Sequence, residues 1–395
     1  MRETTSVNLP FRSKKERGMD KILFCSFRNN PYGIGGGITT IIEMFNLLKD
    51  TYEIDIMTPF HIRPIKSKQH IFLKKEKNWN DLKLPIYLIK SLFLLFKIHK
   101  KYKKILVFLP NPSLSFIGDI YKIICQDKLV IYFEGIMREG KPKIFHEKTS
   151  LNNKMKLMLN NKILGRLSTK KNVYIVSSNY QKNQLINIKY KSSSIWVIPN
   201  LPKSRKYYEN ELKLKKNKLI ITYLGHLNHE KGVDLLIDSY KKVQKSVKNT
   251  LLCIVSNTSQ NNVTTKKIVK KCKHNTNINL YFERVNVHKL FKKSKIAIFP
   301  YRSLVGTAIY PSSILEAMKN RVLVISRYSP ILTEILPVET LFLDDDNEIQ
   351  NLSSLIIDNL TNDSMYTKNL NKQKSNFNYV FNRDKIKSKL KEVLQ

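Results

Sequence analysis

Acidic residues are scarce in this sequence. Its 395 residues include 31 Asp and Glu against 70 Lys and Arg, and the formal net charge is +39. Such a balance favours anionic partners, such as nucleic acid, acidic lipid headgroups or phosphorylated substrates. The chain is also rich in Lys, Asn and Ile together, as an AT-rich genome encourages. Base composition is therefore an alternative origin for part of the charge.

Long apolar runs and paired cysteines are lacking as well. No uncharged apolar run reaches about 20 residues, so we expect no transmembrane helix. Residues 1–18 are polar, which predicts a disordered basic tail rather than a signal peptide, with Met19 as an alternative start. The four cysteines form no CxxC pair. Cys25 and Cys253 fall in apparent strands, which predicts buried thiols in a reducing cytoplasm.

The clearest secondary-structure pattern lies in the stretch from Ile296 to Leu336. A short apolar run, 296–299, ends at Pro300, as a buried parallel strand does. A polar loop leads to Pro311-Ser312-Ser313, which is typical of a helix start. A second apolar run, 322–325, follows that helix. The pattern predicts a β-α-β unit with its ligands at the carboxyl ends of the strands.

Glu316 is the unusual residue of this unit, because it lies about one turn into the helix. Its side chain leans back toward the N-terminus, where a carboxylate can accept two sugar hydroxyls beside amides that suit a phosphate. The alternative is a surface Glu that complements the helix dipole. The stretch alone leaves both interpretations open.

The rest of the chain predicts two α/β domains with a cleft between them. The strand Lys21–Ser26 runs into a glycine-rich loop that includes Gly36 and Gly37, and a helix follows. This is the opening of a nucleotide-binding fold, although the loop departs from GxGxxG and could be an ordinary surface loop. A second strand–loop–helix series begins at Leu219. A polar, charged segment before it marks the domain boundary.

The stretch Leu84–Lys104 allows two interpretations. Apolar residues dominate its first part, and Lys97, Lys100, Lys101, Lys103 and Lys104 crowd its end. It can be an interfacial helix whose lysines meet anionic headgroups. It can also be the crossover helix that a parallel strand at 105–109 requires, and this interpretation is favoured. Both hold if the helix is exposed along one edge.

Two polar motifs of the second half remain. The loop Gly225–Gly232 carries Lys231, whose charge suits a diphosphate leaving group, although a solvated lysine is the competing interpretation. Residues 344–346, all Asp, resemble a metal-binding DxD. We favour helix-capping acids before a helix at Asn347.

Together, GHLNHEKGVDLLI, IAIFP, SILEAM, IVSSNY and WVIPN resemble the group 1 (family 4) glycosyltransferases of the GT-B fold. The resemblance extends over nearly the whole chain from Lys21. It implies two Rossmann-like domains facing across a cleft, with the nucleotide-diphospho-sugar bound by the C-terminal one. It also implies a last helix that returns to the first domain, retention of anomeric configuration, and no metal or cofactor.

The resemblance also implies roles for single residues. Lys231 matches the diphosphate-binding Lys, and Glu316 matches the second Glu of E-x7-E, which contacts the ribose. Ala308 stands where the first Glu would be, His226 where the family has Arg, and Glu134 where many members have His. The expected catalytic residues are Lys231, Glu134 and His226. The expected nucleotide-sugar-binding residues are Gly36, Gly37, Gly225, Lys231, Thr307, Ser312, Ser313 and Glu316.

We therefore expect a hexosyltransferase that uses a UDP- or GDP-sugar and a lipid-linked or polysaccharide acceptor. Its location would be cytoplasmic, peripheral at the inner membrane face, with an anionic membrane surface rather than nucleic acid as partner. The expected segments are the tail 1–18, an acceptor domain 19–202, a donor domain 203–375 and a closing helix 376–395. The rivals are an epimerase or phosphorylase of the same fold, and a degenerate binding module, which Ala308 and His226 keep open.

Overall fold

The computed structural model describes residues 19–26, 36–58, 62, 65, 70–72, 84–109, 115–135, 172–202, 218–256, 258, 263–283, 285–304, 308–343 and 346–395. Within these ranges the chain forms two α/β units, each built on a parallel sheet. The expected tail 1–18 and the expected boundary segment after residue 202 lie outside the described residues.

The first unit is a sheet of seven described strands in the order β3-β2-β1-β4-β5-β6-β7, all parallel. Its strands are β1 (Lys21–Ser26), β2 (Glu53–Thr58), β3 (His70–Phe72), β4 (Lys104–Leu109), β5 (Leu129–Phe133), β6 (Val173–Val176) and β7 (Ile195–Val197). Its helices are α1 (Gly36–Leu48), α2 (Leu84–Ile98), α3 (Ser115–Cys125) and α4 (Asn179–Asn187).

The second unit is a parallel sheet of six described strands in the order β10-β9-β8-β11-β12-β13. Its strands are β8 (Leu219–Leu224), β9 (Thr250–Val255), β10 (Ile278–Tyr281), β11 (Ser294–Phe299), β12 (Leu323–Arg327) and β13 (Leu341–Phe342). The helices that follow in the chain are α5 (Val233–Ser246), α6 (Val263–Cys272), α7 (Val287–Lys293), α8 (Ser312–Lys319), α9 (Glu348–Thr361), α10 (Asp363–Val380) and α11 (Arg383–Leu394).

Both faces of the first sheet are covered, which explains why its strands read as continuous apolar runs. Successive side chains of a strand point to opposite faces. In β1, Ile22 and Phe24 join one buried cluster, while Leu23 and Cys25 join another on the other face. Strands buried on both faces need apolar residues at every position, which is the pattern of parallel sheets in α/β proteins.

The last helix crosses back to the first unit. Ile386, Leu390 and Leu394 of α11 are buried in the same cluster as Ile22 and Phe24. The sequence analysis began the closing helix at residue 376. In the structure α10 runs unbroken through Val380 on the second unit, so the crossing comes later in the chain.

The side chain of Gln373 holds α10 in place there. It accepts a hydrogen bond from the Val324 amide and donates one to the Val322 carbonyl, each at 2.8 Å. The chain therefore turns only at Asn382, whose side chain accepts from the Lys385 amide and begins α11.

The expected interfacial helix is shorter than predicted. α2 ends at Ile98, and a 3-10 turn at His99–Lys101 leads to Tyr102, which is buried and donates a hydrogen bond to Asp55. Lys103 and Lys104 therefore do not belong to the helix, since anchoring Tyr102 turns the chain into β4. The Nζ of Lys103 pairs with Asp20 at 2.9 Å instead.

Loops after the carboxyl ends of both sheets meet at a cluster around Glu334. Its carboxylate accepts hydrogen bonds from the amides of Asn179 (3.0 Å) and Tyr180 (2.8 Å), the first residues of α4. It also accepts one from the Tyr310 hydroxyl at 3.0 Å. Asn200 of the first unit donates to the Tyr310 carbonyl at 3.0 Å. These contacts hold the carboxyl edges of the two sheets toward each other.

We expect Glu334→Ala to destabilise the chain by about 1.5–3 kcal/mol, the usual contribution of hydrogen bonds to a charged group. The substitution removes the acceptor for two α4 amides and a negative charge from that helix's positive end. Thermal and urea unfolding of the full chain measure the effect. Glu339→Ala is the matched control, because Glu339 forms an exposed pair with Lys372 and should cost less than about 1 kcal/mol. Equal losses for both variants would contradict the inter-unit role.

Candidate active site

The loop between β8 and α5 is fixed at both ends. The Gly225 amide donates to the Val255 carbonyl at 3.1 Å, and the Tyr223 hydroxyl donates to the His226 carbonyl at 2.7 Å. A 3-10 turn, His229–Lys231, then leads into Gly232, whose φ is +66°. A Cβ on Gly232 would lie 2.0 Å from the Pro300 carbonyl oxygen, so only glycine allows this close approach.

Lys231 is the most unusual side chain of the loop, because its charge is buried. The residue is only 8% exposed, and its Nζ lies 4.4 Å from the centroid of the Tyr301 ring. Among the described residues, its Nζ has no hydrogen-bond partner. Burial lowers the pKa of Lys231 to about 8, with a smaller opposing effect from Glu230. A buried ammonium without a partner is costly, and an anion at this point would offset that cost.

Tyr301 connects Lys231 to the start of α8. It follows β11 and is buried, and its hydroxyl lies 2.9 Å from Oγ of Ser313. α8 begins at Ser312, and its N-cap residue, Pro311, forms no side-chain cap bond. The helix N-terminus, with its free amides, and the Lys231 ammonium therefore lie on the same side of the sheet. Both attract negative charge, and the combination suits a phosphate group.

Arg302 holds the loop that carries Lys231. Its guanidinium donates to both Asp234 oxygens, at 2.7 and 2.9 Å, and to the His229 carbonyl at 2.9 Å. Its amide donates to the Glu230 carbonyl at 2.9 Å. Burial raises the pKa of Asp234, but the Arg302 guanidinium outweighs this effect and leaves the pKa below its ordinary value. Arg302 thus fixes the position of Lys231 without supplying its own charge to a ligand.

His226 lies at the opening of the loop. Its Nδ1 is 3.4 Å from Oγ1 of Thr258. Partial desolvation of the ring, followed by the nearby Lys231 charge, lowers the pKa of His226 below 6.5. The imidazole is therefore neutral at pH 7 and can donate one hydrogen bond, but it adds no positive charge to the site.

Glu316 lies one turn into α8, on the face shared with Ser312 and Ser313, and is half-buried. Its carbonyl accepts a hydrogen bond from the Asn320 side chain at 2.7 Å. Ala308 is buried just before the helix. It occupies the position at which the family resemblance implies the first Glu of E-x7-E. The structure thus brings Lys231, His226, Ser312, Ser313 and Glu316 to one edge of the second sheet.

The other predicted residues lie elsewhere or outside the described ranges. Glu134 follows β5 on the first sheet and is buried; its amide donates to the Leu109 carbonyl at 2.9 Å. Gly36 and Gly37 are the first residues of α1. Thr307 is outside the described residues, as are two of the three Asp at 344–346. The third, Asp346, precedes Asn347, which is the N-cap of α9 without a side-chain cap bond.

Residues 204–376, most of the second unit, match the family model of glycosyl transferases group 1. We identify this part of the chain as a group 1 glycosyltransferase domain. An uncharacterized glycosyltransferase of Methanocaldococcus jannaschii is 22% identical over 299 residues, which are 73% of this chain and 71% of that protein.

Solved structures with low identity share the fold of this chain. Anabaena HepE, crystallised with UDP and glucose, has 15% identity and a TM-score of 0.66, with 95% of this chain and 99% of that chain covered. S. aureus TarM, crystallised as a variant with fondaparinux, alpha-GlcNAc-glycerol and UDP, has 14% identity and a TM-score of 0.65, with 95% and 100% covered. These matches confirm the predicted GT-B architecture of two α/β domains.

Three site residues were missed in the sequence: Tyr301, Arg302 and Asp234. Tyr301 and Arg302 follow directly after Pro300 at the end of β11, the position at which ligand-binding residues of α/β sheets are expected. Their place in the chain was therefore a usable signal for two of them. Asp234 gave no such signal, because an acid in the first turn of a helix is ordinary.

Proposed function

We propose that this glycosyltransferase moves a hexosyl group from a UDP- or GDP-sugar to a glycan or lipid-linked acceptor, with retention of configuration and without a metal ion. The observation that carries the proposal is the buried Lys231 ammonium beside the uncapped start of α8. Both groups attract negative charge, and the diphosphate of a nucleotide-sugar is an anion that could bind there. Glu316, one turn further along α8, is suited to the ribose hydroxyls of the same donor.

The chemistry assigned to these groups concerns the leaving group. Breaking the bond between the sugar and the diphosphate builds negative charge on the phosphate oxygens while the sugar gains oxocarbenium character. Positive groups already in place stabilise that charge without reorganisation. Lys231 and the α8 amides provide them, and they take the part that a divalent cation plays in other diphosphate sites. Closure of the two domains would exclude water, which otherwise hydrolyses the donor.

The acceptor class is proposed from two similar structures and from the charge of this chain. TarM was crystallised with alpha-GlcNAc-glycerol and fondaparinux, and HepE with UDP and glucose. A glycan or a lipid-linked glycan suits the strongly basic surface of this chain, since polyprenyl phosphates and acidic lipids are anionic. An acceptor of that kind is held at the inner face of the cell membrane, and we place the protein there as a peripheral protein. None of the described helices is long and apolar enough to cross a bilayer.

A thermal-shift panel of UDP-, GDP-, ADP- and dTDP-sugars tests the donor, first without metal and then with magnesium or manganese. A ligand that binds only the folded state raises its melting temperature. We expect a metal-independent rise with one nucleotide, followed by transfer with the anomeric configuration retained. A rise that requires metal would refute metal independence. No rise with any nucleotide would favour the degenerate binding module, and an epimerised or phosphorolysed product would favour the other rival.

Glu316→Ala is expected to weaken binding of that nucleotide about 10- to 100-fold, the equivalent of losing one or two hydrogen bonds to a carboxylate. Titration calorimetry with the ribonucleotide and its 2′-deoxy analogue measures the effect. The wild-type chain should discriminate between the two, and the variant should not. Undiminished affinity for UDP and GDP would contradict the role of Glu316 on the ribose.

A further inference from the structure

The neighbouring helices α2 and α3 each expose large apolar side chains. On α2, Ile89, Phe93 and Phe96 are 67, 64 and 68% exposed, and on α3, Ile120 and Ile123 are 39 and 80% exposed. We call these five residues the α2–α3 patch. Exposed apolar residues scattered singly need no explanation, but a contiguous group marks an interaction surface.

The patch is an outer surface of a firmly packed layer. Ser91 on α2 is buried and shares a hydrogen bond with the Tyr121 hydroxyl on α3, so the two helices are joined beneath the patch. Leu95 of α2 and Tyr121 of α3 are buried in the core on the other side. Ile89, Phe93 and Phe96 are spaced i, i+4 and i+7, which places them in one stripe on the opposite side of α2 from that core.

Lysines border this stripe. Lys90 and Lys97 lie beside it on α2, and Lys97 Nζ is 4.5 Å from the centroid of the Phe93 ring. Lys100 and Lys101 are exposed in the turn that ends the helix. Residues 84–104 contain no acidic residue. An apolar stripe bordered by lysines along one side and at its end is typical of helices that lie in a membrane interface.

We propose that the α2–α3 patch docks on an anionic lipid bilayer, with Phe93, Phe96 and Ile123 inserted among the acyl chains and Lys97, Lys100 and Lys101 on the headgroups. This names the surface for the membrane location proposed above, but it does not depend on the transfer reaction, because vesicle binding needs no turnover. Failure of one proposal therefore leaves the other testable.

Charge complementarity selects a bilayer over a second copy of this chain. Two copies joined through the patch would bring lysine borders of equal sign together, with no acid in the 84–104 stretch to compensate. A bilayer that contains acidic lipids supplies the opposite charge around an apolar interior. It therefore matches both the border and the centre of the patch.

Co-sedimentation of the full chain with phosphatidylcholine vesicles, with and without phosphatidylglycerol, tests the apolar part. We expect binding that requires phosphatidylglycerol, and the double variant Phe93→Ser/Phe96→Ser should weaken it by about tenfold or more. Val263→Ser is the matched control, because Val263 is 69% exposed on α6 of the other domain and should have no effect. Both sites are at the surface, so the variants should fold, which unfolding curves check.

The charged part is tested by replacing Lys97, Lys100 and Lys101 with Glu. The matched control replaces Lys266, Lys267 and Lys270 on α6, which are also exposed, and changes the net charge by the same amount. Binding should be lost in the first variant and retained in the second. Equal loss in both would show general electrostatic adsorption and overturn the proposal.

A fluorescence experiment examines insertion itself. Phe93→Trp should shift its emission to the blue with anionic vesicles and be quenched by brominated acyl chains, whereas Val263→Trp should show neither. Three further outcomes would overturn the proposal: no vesicle binding by the wild-type chain, unchanged binding by the double serine variant, or a dimer that this variant dissociates.

Discussion

Lys231→Met is expected to lower turnover about 100- to 1,000-fold while making the folded chain more stable. The loss of activity follows from the position of the ammonium, because removing a group that stabilises developing negative charge costs about that much. Binding of the donor should fall less, since the α8 amides still hold its diphosphate. Steady-state kinetics with the donor found in the thermal-shift panel separate the effect on kcat from that on KM.

The gain in stability follows from the buried charge. The pKa of Lys231 falls from 10.5 to about 8 in the folded chain, so between these values the unfolded chain binds more protons. The free energy of unfolding therefore rises with pH through this window, and below pH 8 the full penalty applies. Methionine removes the penalty and should stabilise the chain by roughly 1 to 3 kcal/mol at pH 7, with the lost contact to Tyr301 as an opposing effect. The advantage should shrink toward pH 10.5.

The pH dependence of activity gives an independent check. Raising the pH through about 8 deprotonates Lys231 in the free enzyme, so kcat/KM should fall on that side. Lys231→Arg should lack this decrease, because arginine keeps its charge over the whole range. If Lys231→Met is less stable than the wild-type chain at pH 7, the account of an uncompensated buried charge is wrong. If the kcat/KM profile of Lys231→Arg shows the same alkaline decrease as the wild-type profile, the decrease does not come from the deprotonation of Lys231.

Local patterns predicted the frame of this site. The apolar run at 296–299 and the helix signal Pro311-Ser312-Ser313 correspond to β11 and to an α8 that begins at Ser312. Lys231 was placed on a strand-to-helix loop, where the structure has it. These features could be predicted because strand burial, proline geometry and capping are properties of a few consecutive residues.

The contacts that give the site its properties were not predictable in this way. Arg302 and Asp234 are 68 residues apart, and Glu334 meets the Asn179 amide across 155 residues. Such pairs depend on how the sheets and domains pack against each other. The hydrophobic periodicity of one segment carries no information about this packing. The end of α2 was misjudged for the same reason, since the buried bond from Tyr102 to Asp55 is formed with another strand. The burial of Lys231 likewise depends on Tyr301, 70 positions away in the chain.

Gly232→Ala is the second substitution with a large expected effect. Alanine at φ +66° costs about 1–2 kcal/mol in the left-handed region. Its Cβ would also lie 2.0 Å from the Pro300 carbonyl oxygen, so the backbone at the end of β11 or at the loop must move. We expect a total loss of about 3 kcal/mol or more, measured by urea unfolding.

The same movement would displace Lys231, the preceding residue, from the Tyr301 ring, so turnover should fall in whatever fraction of Gly232→Ala remains folded. Gly225→Ala, at the other end of the loop, is the comparison variant, because Gly232 is the one described glycine with a positive φ. The Cβ at Gly225 would lie 2.8 Å from the Tyr223 hydroxyl, a side-chain atom rather than the backbone. Without the left-handed strain and the backbone clash, Gly225→Ala should cost less than Gly232→Ala. Gly232→Asn separates the two causes, because asparagine tolerates a left-handed backbone but still meets Pro300. If Gly232→Asn is nearly as stable as the wild-type chain, the loss in Gly232→Ala comes from the positive φ alone, and the close approach of the loop to β11 can relax.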